Sequence, residues 1–510
     1  MIDLLIITAP FTYTFGPSLS PALLKACCTK ENIQTTAWDL SAEFNFNYQS
    51  HVYYSSVQAW MESPELQLSI NEFNWYSDIV RDYANTIIKN YKPKNLAVSI
   101  LTQNSLRFAE DICYNVKLVN PEIKILLGGS GMDIFQHQLE KKWYELMIES
   151  GMADVVIIGE GEYALPRIIN NDLFGVVHEL QLTNDQLDCI PIPDYSDYDF
   201  SFYTRSNRTY WSMSDEITQN QIDSPVFLIT ASKGCVKNCN FCDVGKIWNK
   251  FRFRSGQKVA NEMIYLYHQY NAQFFSFTDS LMNGGLKPYY EMNKILAEQL
   301  PRTIKYDGQI ICRSQRDMPE KYFSAMSAAG CSSVSIGIES GSEQVRMHMG
   351  KGSSQDDVYY TTQMLTKYNI NQKWNIIAGY PTETNKDWQQ TMNLIKHFLP
   401  VTNGLLTIVP IDTFMLLDGT PMMQKNVLDS MKINQNLING YSTFAWTTGI
   451  NLENTYPTRA DRFIKLCNFL LEFNFEKYKY LVNKIDSVNK KLYWYNNEYK
   501  SKKIFSTSAC

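Results

Sequence analysis

The sequence predicts an α/β fold made of two successive parallel sheets and a helical carboxyl-terminal region. Two observations predict it: short apolar strands alternate with amphipathic helices, and the alternation occurs in two series separated by an aperiodic segment. A chain of 510 residues has room for more than one core, since domains commonly hold roughly 100–200 residues. The first series predicts a doubly wound, Rossmann-like domain, and the second a partial (β/α)6 barrel of the TIM type.

The first series occupies residues 1–165. Its predicted strands lie at 3–8, 35–39, 96–101, 123–127 and 154–158, with helices from about residue 20 and over 63–91, 105–118 and 134–149. Residues 41–92 interrupt the alternation and predict an insertion. Residues 166–224 carry Pro191, Pro193 and many Asp and Asn residues without a period, which is typical of a linking segment.

The second series occupies residues 225–425. Its predicted strands lie near 226–231, 273–278, 304–312, 332–338, 373–378 and 404–410. The helix over 256–270 shows the pattern, since Val259, Met263 and Leu266 lie on one face behind a Ser255 cap. Six strand–helix units with room for right-handed crossovers indicate a barrel rather than a second flat sheet. Residues 426–510 are predicted to be helical.

Composition excludes several function classes. The 47 basic and 52 acidic residues sum to −5, which gives no electrostatic reason for nucleic-acid binding. No apolar run reaches the roughly 18 residues of a membrane span, and no leader sequence is apparent, so a cytoplasmic protein is expected. In a reducing compartment the 11 cysteines are candidates for metal ligation or packing rather than disulfides.

Three of these cysteines stand together directly after the first strand of the second series. Cys235, Cys239 and Cys242 form a Cys-x-x-x-Cys-x-x-Cys loop, which allows three thiolates to converge on one soft metal centre. A structural zinc site would require a fourth ligand at a matching spacing, and none lies nearby. Three thiolates suit an iron–sulfur cubane with one iron left open for a substrate or cofactor.

This loop, with Phe241 before its last cysteine, resembles the signature of the radical S-adenosylmethionine (SAM) superfamily. The resemblance continues over about 200 residues, because further landmarks of that family's barrel follow in order at the predicted strand ends. These are Thr278, Asp279 and Ser280 after the second strand, Arg313 after the third, Glu339 and Ser340 after the fourth, and Gly379 after the fifth. The resemblance implies that the three cysteines hold a [4Fe-4S] cluster and that these landmarks bind SAM. It also implies reductive cleavage of SAM to a 5′-deoxyadenosyl radical, with electrons from a flavodoxin- or ferredoxin-type donor.

The amino-terminal domain resembles the cobalamin (B12)-binding class of the same superfamily. The resemblance rests on a Gly128-Gly129 turn after one strand and on Gly159-Glu160 after the next. Glycines at strand ends let a backbone approach a nucleotide tail closely. The Asp-x-His-x-x-Gly motif that supplies an axial histidine in many cobalamin proteins is absent. The class implies methylation of an unactivated carbon, or another radical modification, of a small-molecule or peptide substrate.

Other interpretations remain open from the sequence. A methylthiotransferase would need a second cluster on Cys27, Cys28 and Cys113, but adjacent helical residues diverge by about 100°, which disfavours it. A second alternative is a radical SAM enzyme that works without cobalamin and catalyses a rearrangement, a cyclisation or an oxidation. A third is a non-enzymatic iron–sulfur or zinc protein that senses redox state. The aromatic residues Tyr441, Phe444, Trp446 and Tyr456 either cap the barrel over a flat substrate or belong to a core.

Overall fold

The structure is a computed structural model that describes residues 2–11, 16–63, 66–132, 135–136, 141–203, 225–434 and 443–499. It divides into two compact units. The first unit comprises Met1–Ile229 with Asn261–Ser276, and the second comprises Thr230–Ala260 with Phe277–Cys510. Within the described residues, no helix is both long and apolar enough to cross a membrane.

The amino-terminal half of the chain alternates strands and helices as predicted, except that the predicted helix over 134–149 is confined, among its described residues, to Trp143–Glu149 and follows a short antiparallel strand pair. Its strands are β1 (Ile2–Thr8), β2 (Thr35–Trp38), β3 (Pro93–Ser99), β4 (Lys124–Gly128), β5 (Phe135–Gln136), β6 (Lys141–Lys142), β7 (Val155–Ile158) and β8 (Gly175–His178). Its helices are α1 (Leu19–Lys30), α2 (Leu40–Tyr48), α3 (Tyr54–Glu62), α4 (Ile70–Thr86), α5 (Leu106–Val119), α6 (Trp143–Glu149), α7 (Gly161–Asn170) and α8 (Asn184–Asp188). Six of the strands form one sheet in the order β2-β1-β3-β4-β7-β8, and every pairing recorded in it is parallel.

Helices cover both faces of this first sheet, which makes it doubly wound. Side chains such as Leu5 and Val98 pack with α2 to α6 on one face, whereas Leu4 and Ala97 pack with α1 and α7 on the other. Strands buried on both sides must be apolar at successive positions, and this produces the continuous apolar runs of the sequence. The Rossmann-like part of the predicted fold is confirmed.

Two segments are more ordered than the sequence indicated. The predicted insertion, 41–92, contains α2, α3 and α4, whose Val57, Tyr76 and Val80 belong to the main core of the first unit. The predicted linking segment, 166–224, is described up to residue 203; it starts with the end of α7 and with β8, which joins the sheet beside β7, and residues 204–224 lie outside the described residues. The period over 63–91 predicted α4, whereas 41–62 and the described part of 166–224 lack a clear period because their buried side chains lie on short elements.

The second half of the chain supplies the barrel and the carboxyl-terminal helices. Its strands are β9 (Val226–Ile229), β10 (Ser232–Lys233), β11 (Arg252–Phe253), β12 (Phe274–Phe277), β13 (Lys305–Ile310), β14 (Cys331–Glu339), β15 (Asn371–Ala378) and β16 (Leu406–Thr413). Its helices are α9 (Val244–Ile247), α10 (Gly256–Tyr270), α11 (Leu286–Gln299), α12 (Lys321–Ala328), α13 (Glu343–His348), α14 (Gln355–Lys367), α15 (Asn385–Val401), α16 (Lys425–Ser430), α17 (Tyr456–Phe473), α18 (Phe475–Tyr478) and α19 (Leu481–Trp494). A six-stranded sheet runs in the order β16-β15-β14-β13-β12-β9, as expected for successive right-handed crossovers.

Alternate residues of the barrel strands face the helices. Trp374 of β15 stacks edge-on against Phe398 of α15, with ring centroids 5.5 Å apart. Tyr306 of β13 donates a hydrogen bond from its hydroxyl to the Asn293 side chain of α11. The six predicted strands of this series coincide with the observed ones to within a few residues, so the partial-barrel prediction is confirmed.

A buried carboxylate connects the segments around β1 and β2 in the first unit. The side chain of Asp39 accepts hydrogen bonds from Thr8 Oγ1 at 2.8 Å, Ser18 N at 3.0 Å, Ala42 N at 3.2 Å and Tyr203 Oη at 2.6 Å. It caps α2, which begins at the next residue. Because Asp39 is 4% exposed, water is not available to replace these bonds.

We therefore predict that Asp39→Ala destabilises the first unit by about 3 kcal/mol, because buried donors that lose their acceptor cost about 1–3 kcal/mol each. Hydrogen exchange of the full-length chain should show lower protection of the β1 and β2 amides. The matched control is Asp78→Ala, which removes an exposed carboxylate that pairs with Arg81 at the surface and should cost less than about 1 kcal/mol. Equal protection in the two variants would contradict the role given to Asp39.

Candidate cluster and SAM site

The loop that carries the three cysteines is fixed at its start by the end of β12. Asp279 Oδ2 accepts a hydrogen bond from Ala231 N at 2.9 Å, and the hydroxyls of Thr230 and Thr278 lie 2.7 Å apart. Asp279 is 2% exposed, and burial raises its pKa to about 6, although its hydrogen bonds favour the ionised form. Two of the predicted site residues, Thr278 and Asp279, thus position the backbone that leads to Cys235.

Asn240, between the second and third cysteines, anchors the middle of the loop. Its backbone N–H bonds to Met349 O at 3.0 Å, and its side-chain amide bonds to Tyr380 Oη at 2.7 Å and His348 O at 2.9 Å. Its carbonyl accepts from Met422 N at 2.7 Å. The loop is therefore fixed by segments that follow β14, β15 and β16.

The three cysteines lie in one electrostatic environment. Burial raises the pKa of Cys239 to about 11, nearby Lys351 lowers it, and Cys242 and Cys235 raise it further. Each of the three thiols is half-buried and so remains accessible. Six other cysteines are buried and pack as small apolar residues, namely Cys27, Cys28, Cys113, Cys312, Cys331 and Cys467.

The chemistry of this donor set suits an iron–sulfur cluster. Among the described residues, no three His, Cys, Asp or Glu side chains are close enough together to hold one metal ion. In a cubane the cysteines bind different iron atoms, so they need to surround a cluster rather than meet at a point. Three accessible thiols on a tethered loop, with a cation beside them to favour the thiolates, fit that requirement.

An ion pair between Glu339 and Lys351 lies beside the cysteine loop, and the backbone of Glu339 is strained. Glu339, at the end of β14, has φ = +62°, a left-handed conformation that is uncommon for a residue other than glycine. Its Oε1 lies 3.0 Å from Lys351 Nζ, and both side chains are nearly buried. Burial lowers the pKa of Lys351, but Glu339 and Cys239 raise it to a net value above its usual range, so the cation is retained. Lys351 Nζ also lies 5.7 Å from the ring centroid of Phe241 in the cysteine loop.

Gly337 leaves the space that this pair occupies. A Cβ atom at residue 337 would overlap Glu339 Oε1 and lie 2.6 Å from Lys351 Nζ. The β14–β15 register also shifts between Gly337 and Glu339, which turns the end of the strand. The end of β14 is therefore shaped around the ion pair.

Arg313 and Ser340 have different surroundings. Arg313 donates to the carbonyls of Asn283 at 3.0 Å and Gly284 at 3.3 Å, and burial lowers its pKa while the charges of Asp317 and Cys235 raise it. Arg313 thus lies near the cysteine loop. Ser340 is fully buried, and its hydroxyl accepts from Ser342 N and lies 3.3 Å from Thr391 Oγ1. Ser280 is half-buried. Cofactor contacts for Arg313, Ser280 and Ser340 stay predictions.

Gly379 is fixed by the carboxyl-terminal helix α17. It has φ = +87°, and a Cβ atom there would overlap Arg459 Cγ, so both conformation and packing require glycine. Glu383 Oε1 accepts from Gly379 N at 3.0 Å and pairs with Arg462 Nη1 at 2.7 Å; burial raises the pKa of Glu383 to about 7, while Arg462 lowers it. Arg459 lies 3.7 Å from the ring centroid of Trp446, which is fully buried and therefore belongs to a core.

In the first unit, the Gly128-Gly129 turn lies at the carboxyl edge of the sheet. A Cβ atom on Gly129 (φ = +117°) would overlap Ile100 O, so this glycine is required by a close backbone approach. Gly128 has open space where its Cβ would be, and the neighbouring Leu101 is 60% exposed. The sheet order reverses between β1 and β3, and open α/β sheets bind ligands at such a point.

Gly159 and Glu160 follow β7. Gly159 has φ = +116°, and its missing Cβ would lie 2.9 Å from Glu179 O. Glu160 is buried and accepts a hydrogen bond from Leu182 N at 2.5 Å. These contacts explain both residues structurally, and their binding of cobalamin stays a prediction. His51 stacks on Trp75, with ring centroids 4.5 Å apart, which gives it a structural role.

Sequence reasoning did not find Lys351, Asn240 or Tyr380. Lys351 follows the buried Ser342 by nine residues, and Asn240 stands between two cysteines; neither spacing is distinctive. The one clue in the sequence was that Asn240, whose amide can form several hydrogen bonds, lies inside the cysteine motif. Tyr441 lies outside the described residues, whereas Tyr456 is fully buried.

Comparison with known proteins gives consistent results. Residues 229–395 match the family model of the radical SAM superfamily. An uncharacterized methyltransferase of Pyrococcus horikoshii is 24% identical over 346 residues, covering 63% of this chain and 67% of the relative. A putative methylthiotransferase of Methanocaldococcus jannaschii is 24% identical over 261 residues, covering 49% of this chain and 54% of the relative. The chain thus spans about half of the second relative's length.

A solved structure extends the likeness to nearly the whole chain. The cobalamin-dependent SAM radical enzyme OxsB, with aqua-cobalamin and SAM bound, superposes with a TM-score of 0.62 at 14% identity, covering 98% of this chain and 71% of OxsB. At this identity the likeness concerns the fold. Together with the family match and the three-cysteine loop, it shows that residues 229–395 form a radical SAM domain and that the chain has the fold of a cobalamin-dependent member of that superfamily.

Proposed function

We propose that the chain cleaves SAM reductively at a [4Fe-4S] cluster held by Cys235, Cys239 and Cys242, and uses the product radical to modify a small molecule or peptide. The observation that carries the proposal is the tethered three-cysteine loop with the Glu339–Lys351 pair beside it. When bound, the cluster supplies one electron to SAM, which separates into methionine and a 5′-deoxyadenosyl radical. A flavodoxin- or ferredoxin-type protein is the proposed electron donor.

The protein's own residues position SAM and protect the radical. Lys351 is a buried cation beside the thiols, and it suits the carboxylate of SAM. Glu339 accepts hydrogen bonds and suits the ribose hydroxyls. Phe241 and Phe414 form an edge-to-face pair with ring centroids 6.3 Å apart, and we propose that this apolar contact limits the access of water on one side of the loop. Thr278, Ser280, Arg313 and Gly379 are proposed as further contacts at the same strand ends.

Cobalamin is the proposed second cofactor of the first unit. The open space at Gly128 and the exposed Leu101 lie at the carboxyl edge of the sheet, where an apolar macrocycle can rest on the strand-end loops. Gly129, Gly159 and Glu160 shape those loops. The chemistry that cobalamin supplies when bound is methyl-group relay, so methylation is the favoured reaction, as the name of the Pyrococcus relative suggests. The alternative is a cobalamin-independent rearrangement, cyclisation or oxidation.

The cluster assignment predicts that Cys239→Ala abolishes iron–sulfur reconstitution, because the cluster loses one of three thiolate ligands. Anaerobically reconstituted variant protein should release at least about a hundredfold less 5′-deoxyadenosine from SAM under reduction. Iron content and the electron paramagnetic resonance (EPR) signal of the reduced cluster provide independent measurements. Cys189→Ala is the control, since Cys189 is an exposed cysteine of the first unit. Zinc in place of iron in the parent protein would support the redox-sensor alternative and contradict the proposal.

The role of Lys351 predicts that Lys351→Met weakens SAM binding by about tenfold to a hundredfold, since hydrogen bonds to charged groups contribute about 1.5–3 kcal/mol. Isothermal titration with the reconstituted protein measures the dissociation constant, and unchanged iron content separates binding from cluster loss. Lys367→Met is the matched control, because Lys367 forms an exposed ion pair with Glu320 at 2.6 Å. An unchanged dissociation constant in Lys351→Met would exclude Lys351 from the SAM site.

The cobalamin assignment predicts that full-length protein retains hydroxocobalamin in equilibrium dialysis. Gly128→Phe should reduce retention, because the added ring would fill the open space at the strand end. Leu118→Phe is the control, since Leu118 is an exposed apolar residue on α5. Absence of binding by the parent protein, together with 5′-deoxyadenosine release, would select the cobalamin-independent alternative.

A further inference from the structure

One face of the barrel sheet carries polar side chains where such barrels are usually filled by bulky branched residues. In β13 to β16, the residues facing the helices are recognised by their contacts, such as Trp374 against Phe398. The alternate residues form the opposite face, here called the inner polar face. It includes Gln309, Ser335, Gly337, Lys373, Asn375 and Thr407, together with the apolar Val409, which is the register partner of Asn375.

The strand register sets these residues in rows. Gln309, Ser335, Lys373 and Thr407 are successive partners across β13 to β16, so they form one row. Gly337 and Asn375 are partners in the next row toward the carboxyl ends of the strands.

The inner polar face leads directly to the candidate SAM site. Ile377 is two residues beyond Asn375 on β15 and packs in the cluster that contains Tyr380 and Phe414, together with Phe241 of the cysteine loop. Two residues of a strand span about 7 Å. A Cβ at Gly337, beside Asn375, would also meet the Glu339–Lys351 pair. A molecule on this face would therefore lie next to the place where the radical is produced.

Several polar side chains on this face are available to form hydrogen bonds with a ligand. No described residue forms a hydrogen bond with the side chain of Gln309, Asn375 or Thr407. Gln309 is exposed, whereas Asn375 and Thr407 are half-buried, so solvent reaches the middle of the sheet. Each amide offers two N–H donors and a carbonyl acceptor. A ligand that displaces solvent here must satisfy these groups, because unpaired buried polar atoms are unfavourable.

We infer that the inner polar face is the substrate-binding surface and that it selects a small polar molecule bearing adjacent hydrogen-bond donors and acceptors, such as an amide or a lactam, through Gln309 and Asn375. This inference rests on the proposed function, because the ligand of this face is a substrate only if the enzyme produces the radical beside it. Gln309 and Asn375 are two strand spacings apart across β14, or about 10 Å, and one row apart along the strands, or about 7 Å. These spacings match a metabolite-sized molecule that touches both amides. The aromatic residue Trp446 does not offer an alternative flat platform, because it is fully buried.

Two ring compounds of the same size test the selectivity. 2-Pyridone carries an N–H and a carbonyl on one edge, whereas benzene carries neither. Crystals of the reconstituted enzyme with SAM are soaked in each compound. The expected result is 2-pyridone within hydrogen-bond distance of the Gln309 or Asn375 amide and no benzene on this face. Benzene at the same position, or 2-pyridone only elsewhere, would overturn the inference.

A double variant tests the two side chains in solution. In Gln309→Leu/Asn375→Leu, the dissociation constant of 2-pyridone, measured by ligand-observed NMR, should rise by at least about tenfold, since a site built for hydrogen bonds loses its selectivity without them. Gln389→Leu on the exposed face of α15 is the matched control and should leave the constant unchanged. Circular dichroism and iron content report whether the double variant folds. If it does not fold, the crystal soak of the parent enzyme still tests the inference.

The outcomes separate this inference from the proposed function. A parent enzyme that releases no 5′-deoxyadenosine under reduction contradicts the proposed function, whatever 2-pyridone does. A parent enzyme that releases 5′-deoxyadenosine but binds 2-pyridone equally well in the leucine double variant contradicts the inference alone.

Discussion

The site depends on how a loop with little regular structure is held in place. The cysteine loop supplies only part of its own hydrogen bonding, such as Cys242 N to Cys239 O at 3.2 Å, so other polar groups of its backbone need partners in the surrounding protein. Asn240 provides the main connection, through bonds to segments that follow three different strands. The strand ends of the barrel therefore determine the positions of the thiols.

Those strand ends are themselves stiffened from outside the barrel. Tyr380, which bonds to Asn240, directly follows Gly379, and Gly379 N is bound by Glu383. Glu383 is paired with Arg462 of α17, with both side chains almost completely buried. A buried ion pair of this kind is costly to break, because loss of one partner leaves an unpaired charge in a low-dielectric interior. The carboxyl-terminal helix thus takes part in positioning the cysteines, although it is distant from them in sequence.

The sequence predicted the two sheets well because their strands are apolar and regularly spaced, but it predicted less of the insertion and of the site. Residues 41–62 looked aperiodic because α2 and α3 are short and bury aromatic and polar side chains together, as Phe44 and Asn45 show. The three cysteines were recognisable from local spacing alone. Lys351 and Tyr380 were not, because their roles arise from contacts between strand ends that no local pattern records. Glu339 was proposed from its position, but its left-handed backbone is visible only in the structure.

The polar interior of the barrel poses a physical problem for radical chemistry, which requires water and stray hydrogen donors to be kept away. A core of branched aliphatic residues would exclude water and add stability, but it would also fill the space that a substrate needs. Uncommitted amides at Gln309 and Asn375 leave that space solvated until a matching ligand replaces the water. Under the proposed function, substrate binding itself completes the dry surroundings of the radical. The unfilled interior then makes the fold less stable, and the same open space allows the barrel to select its substrate.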